Sequence, residues 1–320
     1  GLLVGAASVW VASVAWSRSS QNAPSSWNRW YYAVAFLALF GGLAFGEMLA
    51  FGLIPESYGH LRIAHIHLGL IGFAIVVILG AIVILLPTVL NTSGSSPTLK
   101  QPALILMLLG IAALIGGFLN VSVTIQLVAG GLLFAGGALY TVNLFRAWMG
   151  SPHNGNAASD HLLIGLFFLL FTIVLGILVG VNSLSSPPVM PFGTLHLIAY
   201  THMALLGFIL QTSMGVLSHL IPVTLAASRV PNSKKRGPYL DWLTTIMDRW
   251  RTIQVGGLSL GTMGLGILAT LTWNVPLGSL YIRVMTWTCF GLLLSSLILF
   301  SVKLVLLFSL QPKDSSSSVA

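Results

Sequence analysis

Charge is what this chain lacks. Only 6% of its 320 residues are Asp, Glu, Lys or Arg, while 56% are hydrophobic. A water-exposed domain carries charge on roughly 25% of its residues, so a soluble fold is excluded. Cysteine is nearly absent too: Cys289 stands alone inside an apolar run. That excludes intrachain disulfides and any iron–sulfur or cysteine-ligated zinc site built from this chain alone. The long runs also lack alternation of apolar and polar residues, which argues against a membrane β-barrel. What is present is a series of long apolar runs divided by short polar segments. The expected fold is all-α, a polytopic helical membrane protein in contact with the lipid bilayer.

Nine runs qualify as spans, roughly 1–16, 30–53, 63–88, 102–119, 121–147, 161–184, 195–221, 253–273 and 278–309. The 14 Lys and Arg exceed the 6 Asp and Glu, giving a net charge of +8. Most of these cations sit in the segments after odd-numbered spans, among them Arg18, Arg29, Lys100, Arg146, Arg229, Lys234, Lys235 and Arg236. The opposite side receives Arg62 and Arg283. Such asymmetry reads as topology, with the N-terminus outside and the C-terminus cytoplasmic, and not as a nucleic-acid surface. Residues 236–252 place Tyr239, Trp242, Leu243, Ile246 and Trp250 on one helical face, as in an amphipathic helix lying on the cytoplasmic surface. The segment 310–320 ends in DSSSSVA and reads as disordered.

Residues 63–87 align with 198–222 at a constant offset of 135, with 9 of 25 positions identical. The matches include His67/His202, Gly72/Gly207, Phe73/Phe208, Gly80/Gly215 and Pro87/Pro222. The chain therefore divides into a leading helix and loop (1–29), a four-helix repeat (30–148) and a second four-helix repeat (149–309). An even number of spans per unit makes the repeats parallel. His67 and His202 then lie at equivalent depth in helices running the same way. Two neutral imidazoles facing each other suit the two axial positions of a haem iron. The registered glycines allow close helix approach or leave room for a flat ligand.

Other residues are candidates for a second centre or for support. His60 precedes His67 by seven residues on nearly the same helix face, suited to a second haem or a propionate. His65 points away from His67, because two residues advance a helix by about 200°. Its repeat equivalent is Tyr200, and His196 lies four residues before that tyrosine on one face. Glu47, deep in the second run, is suited to orient a histidine, pair with Arg62 or carry protons. His153 and His161 flank a loop, and His219 reads as interfacial or structural.

The stretches AHIHLGLIGF…GAIVILLP and THMALLGF…GVLSHLIP resemble the haem-copper oxidase subunit I superfamily, especially its short, divergent members. The resemblance implies four-span units with metal-ligating histidines at the outer end of each unit's second helix. His67 and His202 match that pattern. The family also carries an adjacent pair of histidines for its copper, and no His-His pair occurs here. It has three units, whereas two are visible; the leading run has the direction of the last helix of a preceding unit, so a longer protein is expected.

The expected function is a haem b-binding subunit, with one or two haems, that transfers electrons within a respiratory-type complex of a bacterial or archaeal-type cytoplasmic membrane. Its partners would be other membrane subunits, an outer-side cytochrome c or soluble oxidoreductase, and quinone. One alternative is a divergent nitric oxide or oxygen reductase using His196 and Tyr200. Another is a copper-handling, transport or structural membrane subunit, with copper the lesser cofactor expectation.

Overall fold

The computed structural model describes residues 28–92, 96–151, 155–182, 184, 192–271, 276 and 278–311, with four isolated positions ahead of Asn28. Within them every regular element is helical. Lipid offers the backbone no hydrogen-bond partner, and a helix satisfies its own N–H and C=O groups segment by segment. Among the described residues, eight helices are long and apolar enough to cross a bilayer. The protein is an all-α integral membrane protein. Most of the leading run expected over 1–16, and most of the tail expected over 310–320, lie outside the described residues.

The first crossing is α1 (Asn28–Ala50). The second joins α2 (Tyr58–His67), a π-helical stretch π1 (Leu68–Ile75) and α3 (Val76–Leu90). Next come α4 (Pro97–Leu119), α5 (Val123–Met149) and α6 (Ala157–Asn182). The sixth crossing joins α7 (Phe192–His202), π2 (Met203–Leu210) and α8 (Gln211–Arg229). The short α9 (Ser233–Asp248) follows, then α10 (Arg251–Leu271) and α11 (Leu280–Ser309). The second and sixth crossings run longer than their apolar runs, and α2 starts early enough to carry His60 and Arg62. Asn120, Val121 and Ser122 form the tight turn between α4 and α5. Asn120 Nδ2 donates to Gly116 O at 2.8 Å, and Ser122 Oγ accepts from Ile125 N at 3.4 Å. Val121 is held at φ 54°, a costly conformation for a β-branched residue.

The offset of 135 reappears as geometry. The two π stretches begin at 68 and 203 and end at 75 and 210, in register. π-helical segments are rare, so two at one register mark a shared local design. The glycines that follow extend the match to the first helix of each unit. A Cβ at Gly72 would lie 2.6 Å from Ala38 Cβ, and one at Gly207 would lie 2.5 Å from Phe168 Cδ1. At Gly80 it would meet Tyr31 Cβ at 2.8 Å, and at Gly215 it would meet His161 Cβ at 3.0 Å. Ala38 and Phe168, like Tyr31 and His161, are 130 residues apart. These glycines serve close helix approach. They clear no space for a flat ligand on that face, because side chains of the first helix fill it.

Buried residues from both halves merge into one core. It runs from Tyr31, Leu79 and Leu86 through Met107 and Tyr140 to Leu166, Phe168 and Phe208. The helix expected over 236–252 covers Ser233–Asp248 instead, and its buried stripe is Tyr239, Leu243 and Met247, at i, i+4 and i+8. Trp250 falls past the helix end at φ 56° and is 56% exposed. Hydropathy counts a protein-facing and a lipid-facing stripe as one face, which is why Met247 was overlooked and Trp250 included. α9 is tied down as well as amphipathic. Tyr239 OH donates to Leu310 O at 3.2 Å, and Arg229 donates to Leu307 O at 3.1 Å and Phe308 O at 2.9 Å. Those carbonyls close the end of α11, where a helix leaves acceptors without intrahelical donors.

Candidate functional site

His67 and His202 are each the last α-helical residue before a π stretch. In both rings Nδ1 lies 2.9 Å from the carbonyl oxygen four residues earlier, Ile63 O and Ile198 O respectively. A carbonyl can only accept, so Nδ1 carries the proton and donates it. In the neutral ring Nε2 then keeps its lone pair. This tautomer, held through the second ring nitrogen, is the one a metal-ligating histidine requires.

Positions 65 and 200 face the first helix of their own unit. His65 Nδ1 donates to Gly42 O at 2.7 Å. A Cβ at Gly46 would lie 3.0 Å from His65 Cε1, and one at Gly176 would lie 3.3 Å from Tyr200 Cε2. Gly46 and Gly176 are again 130 residues apart. His67 points elsewhere, as the helical angle requires: its ring centroid is 4.7 Å from that of Phe118 on α4 and 6.3 Å from that of Tyr200 on α7. The fold thus brings His67 of the first unit to the helix that carries His202, with Tyr200 as the contact. His65 is separated from them, and it lines a groove of 320 Å³ with Leu39, Leu43 and Leu70.

The supporting candidates scatter. His60 is half-buried two turns before His67, and Arg62 is exposed. Glu47 is half-buried near the end of α1, next to the glycine that seats His65. Tyr200 is buried and His196, one turn earlier on α7, half-buried. His219 is half-buried on α8, and His153 lies outside the described residues. Among the described residues no three His, Cys, Asp or Glu side chains converge, and an axial pair needs only two donors.

A polar cluster at the other end of the second unit was not expected. His161 is fully buried, as are Gln211 and Gln254, and Lys303 is 3% exposed. Lys303 Nζ donates to Gln254 Oε1 at 2.6 Å and to Met247 O at 2.7 Å. Gln254 Nε2 lies 2.9 Å from His161 Nε2. Near this cluster, Asp248 Oδ1 accepts from Ala157 N at 2.7 Å, so α9 also caps α6. The signal available in sequence was the coincidence of Gln211, Gln254 and Lys303 inside otherwise apolar spans.

No family model matches this chain. No curated protein is significantly similar to it.

Proposed function

We propose that this protein is a haem b-binding subunit of an electron-transfer complex, with His67 and His202 as the axial ligands. One observation carries the reading. Two histidines at the same position of two crossings each fix the Nδ1 proton on their own helix and offer a free Nε2, directly ahead of a matching π stretch. Two imidazoles in this tautomer are nitrogen donors of the kind that would hold a haem iron. Bound haem would supply one-electron transfer. The chain's own residues would orient the ligands through Ile63 O and Ile198 O and pack Phe118 and Tyr200 around His67. The charge asymmetry of the sequence supports an outer-face position for the site, where an outer redox partner would reach it.

A reduced-minus-oxidised optical spectrum of the purified protein tests this. A sharp b-type α-band is expected, lost in both His67→Ala and His202→Ala and kept in His65→Ala. Absence of the band, or its survival in both ligand variants, sinks the reading.

A further inference from the structure

We infer that Lys303 and His161 form a buried site that holds one proton between them, with Gln254 as the amide that decides which of the two is charged. The inference does not rest on the haem reading.

The hydrogen bonds impose their own direction. A lysine ammonium can only donate, so the oxygen of Gln254 must face Lys303. The amide NH₂ then faces His161, and a donor there forces His161 Nε2 to accept. His161 is therefore neutral and carries its proton on Nδ1. That Nδ1 and Gln211 Oε1 stop short of a well-formed hydrogen bond. The two side chains are neighbours. The ring and the amide interact directly, as a loose donor–acceptor pair. Gln211 Nε2 continues the series to Ser259 Oγ at 3.2 Å, and Ser259 to Val255 O at 2.6 Å.

An amide has one accepting and one donating side, so Gln254 cannot satisfy two cations. With Lys303 charged, its oxygen is committed and His161 stays neutral. If His161 takes a proton on Nε2, the amide must turn its oxygen to the imidazole, and its NH₂ then needs a neutral amine at Lys303. Passing between the two states moves one proton from the ammonium to the imidazole. The charge of the pair stays at one. The other charged groups around it are Asp160 on α6, in an ion pair at 3.6 Å with Arg251 of α10, and Asp248 at the end of α9, which favours the ammonium. α8 contributes the uncharged Gln211.

Nitrogen NMR of the full chain, labelled at histidine and held in lipid nanodiscs, reads the site. The His161 signal is identified by its loss in His161→Asn. In the wild type His161 is expected to be neutral and protonated on Nδ1 even at about pH 6, where an unperturbed histidine is mostly charged. In Lys303→Met the amide is free to turn its oxygen to the imidazole, and the His161 proton is expected to move from Nδ1 to Nε2. In Gln254→Glu the carboxylate accepts from both neighbours, so His161 Nε2 carries a proton at about pH 7. A wild-type His161 that is charged or protonated on Nε2 overturns the proposal, whether or not the variants fold. So does a folded Gln254→Glu protein whose His161 Nε2 stays unprotonated.

Discussion

The two units place different chemistry on the same glycine. Gly80 and Gly215 sit at one register, and each presses on the first helix of its unit, at Tyr31 in one and His161 in the other. Around Tyr31 the first unit is closed by aromatic and aliphatic groups. Tyr140 meets it edge-to-face at 6.2 Å, and its hydroxyl donates to Leu79 O. Around His161 the second unit gathers Gln254, Lys303 and Gln211. Repetition preserved the backbone geometry, which close packing of small residues enforces. It left the side chains free, so one copy is sealed and the other is polar and ionisable. At the opposite end the divergence runs the other way. His67 and His202 stay identical down to their hydrogen bonds, while His65 and Tyr200 differ beside them.

Breaking the polar copy should cost most. Lys303→Met strips the donor from Met247 O and Gln254 Oε1, both deep in the bundle, and a buried group left without its partner costs about 1–3 kcal/mol. Thermal unfolding can be followed by a maleimide fluorophore on Cys289, the sole and buried cysteine. Tyr140→Phe in the sealed copy removes one neutral hydrogen bond, with a net cost of about 1 kcal/mol. Equal melting losses would mean that the ammonium matters no more than a hydroxyl, and the contrast between units would fail.

A second pair sharpens the equivalence. Gly72→Ala drives a methyl into Ala38 Cβ, and Gly207→Ala drives one into the buried Phe168 ring. Overpacking of this kind costs about 1–3 kcal/mol. The two variants should melt earlier by similar amounts; a harmless change at one position would show that the crossings only look alike. The smallest effect is a gain. Val121→Gly relieves the positive φ of the α4–α5 turn and should stabilise by about 0.5–1 kcal/mol, seen as a slightly higher melting temperature. A lower one would show that Val121 is held by contacts worth more than its strain.

The membrane fold was legible because each span has to be apolar on its own account, so composition reveals it residue by residue. His67 and His202 were legible because their surroundings repeat at a fixed offset. The first helices of the two units were not. Over 28–50 and 158–180 only Leu39/Leu169 and Gly46/Gly176 are identical, and it takes the contacts of Gly46, Gly72 and Gly80 to show that these helices correspond. A lipid-facing or core-facing position accepts almost any apolar residue, so shape persists there without identity. His65 illustrates a milder case: the helical angle separates it from His67, but only the contact with Gly42 and Gly46 shows where it goes.

By itself the sequence determined that the chain is built of membrane-crossing helices, roughly where eight of them fall, and that His67 and His202 share one register of a repeat. Each of these is a property of short segments, carried by hydropathy or by local repetition. The tertiary structure alone decided that His161, Gln254 and Lys303 meet. They stand 93 and 49 residues apart along the chain, on three helices. No local pattern encodes such a meeting, because it depends on how whole helices rotate against one another, and that is set by the glycines and side chains packed between them.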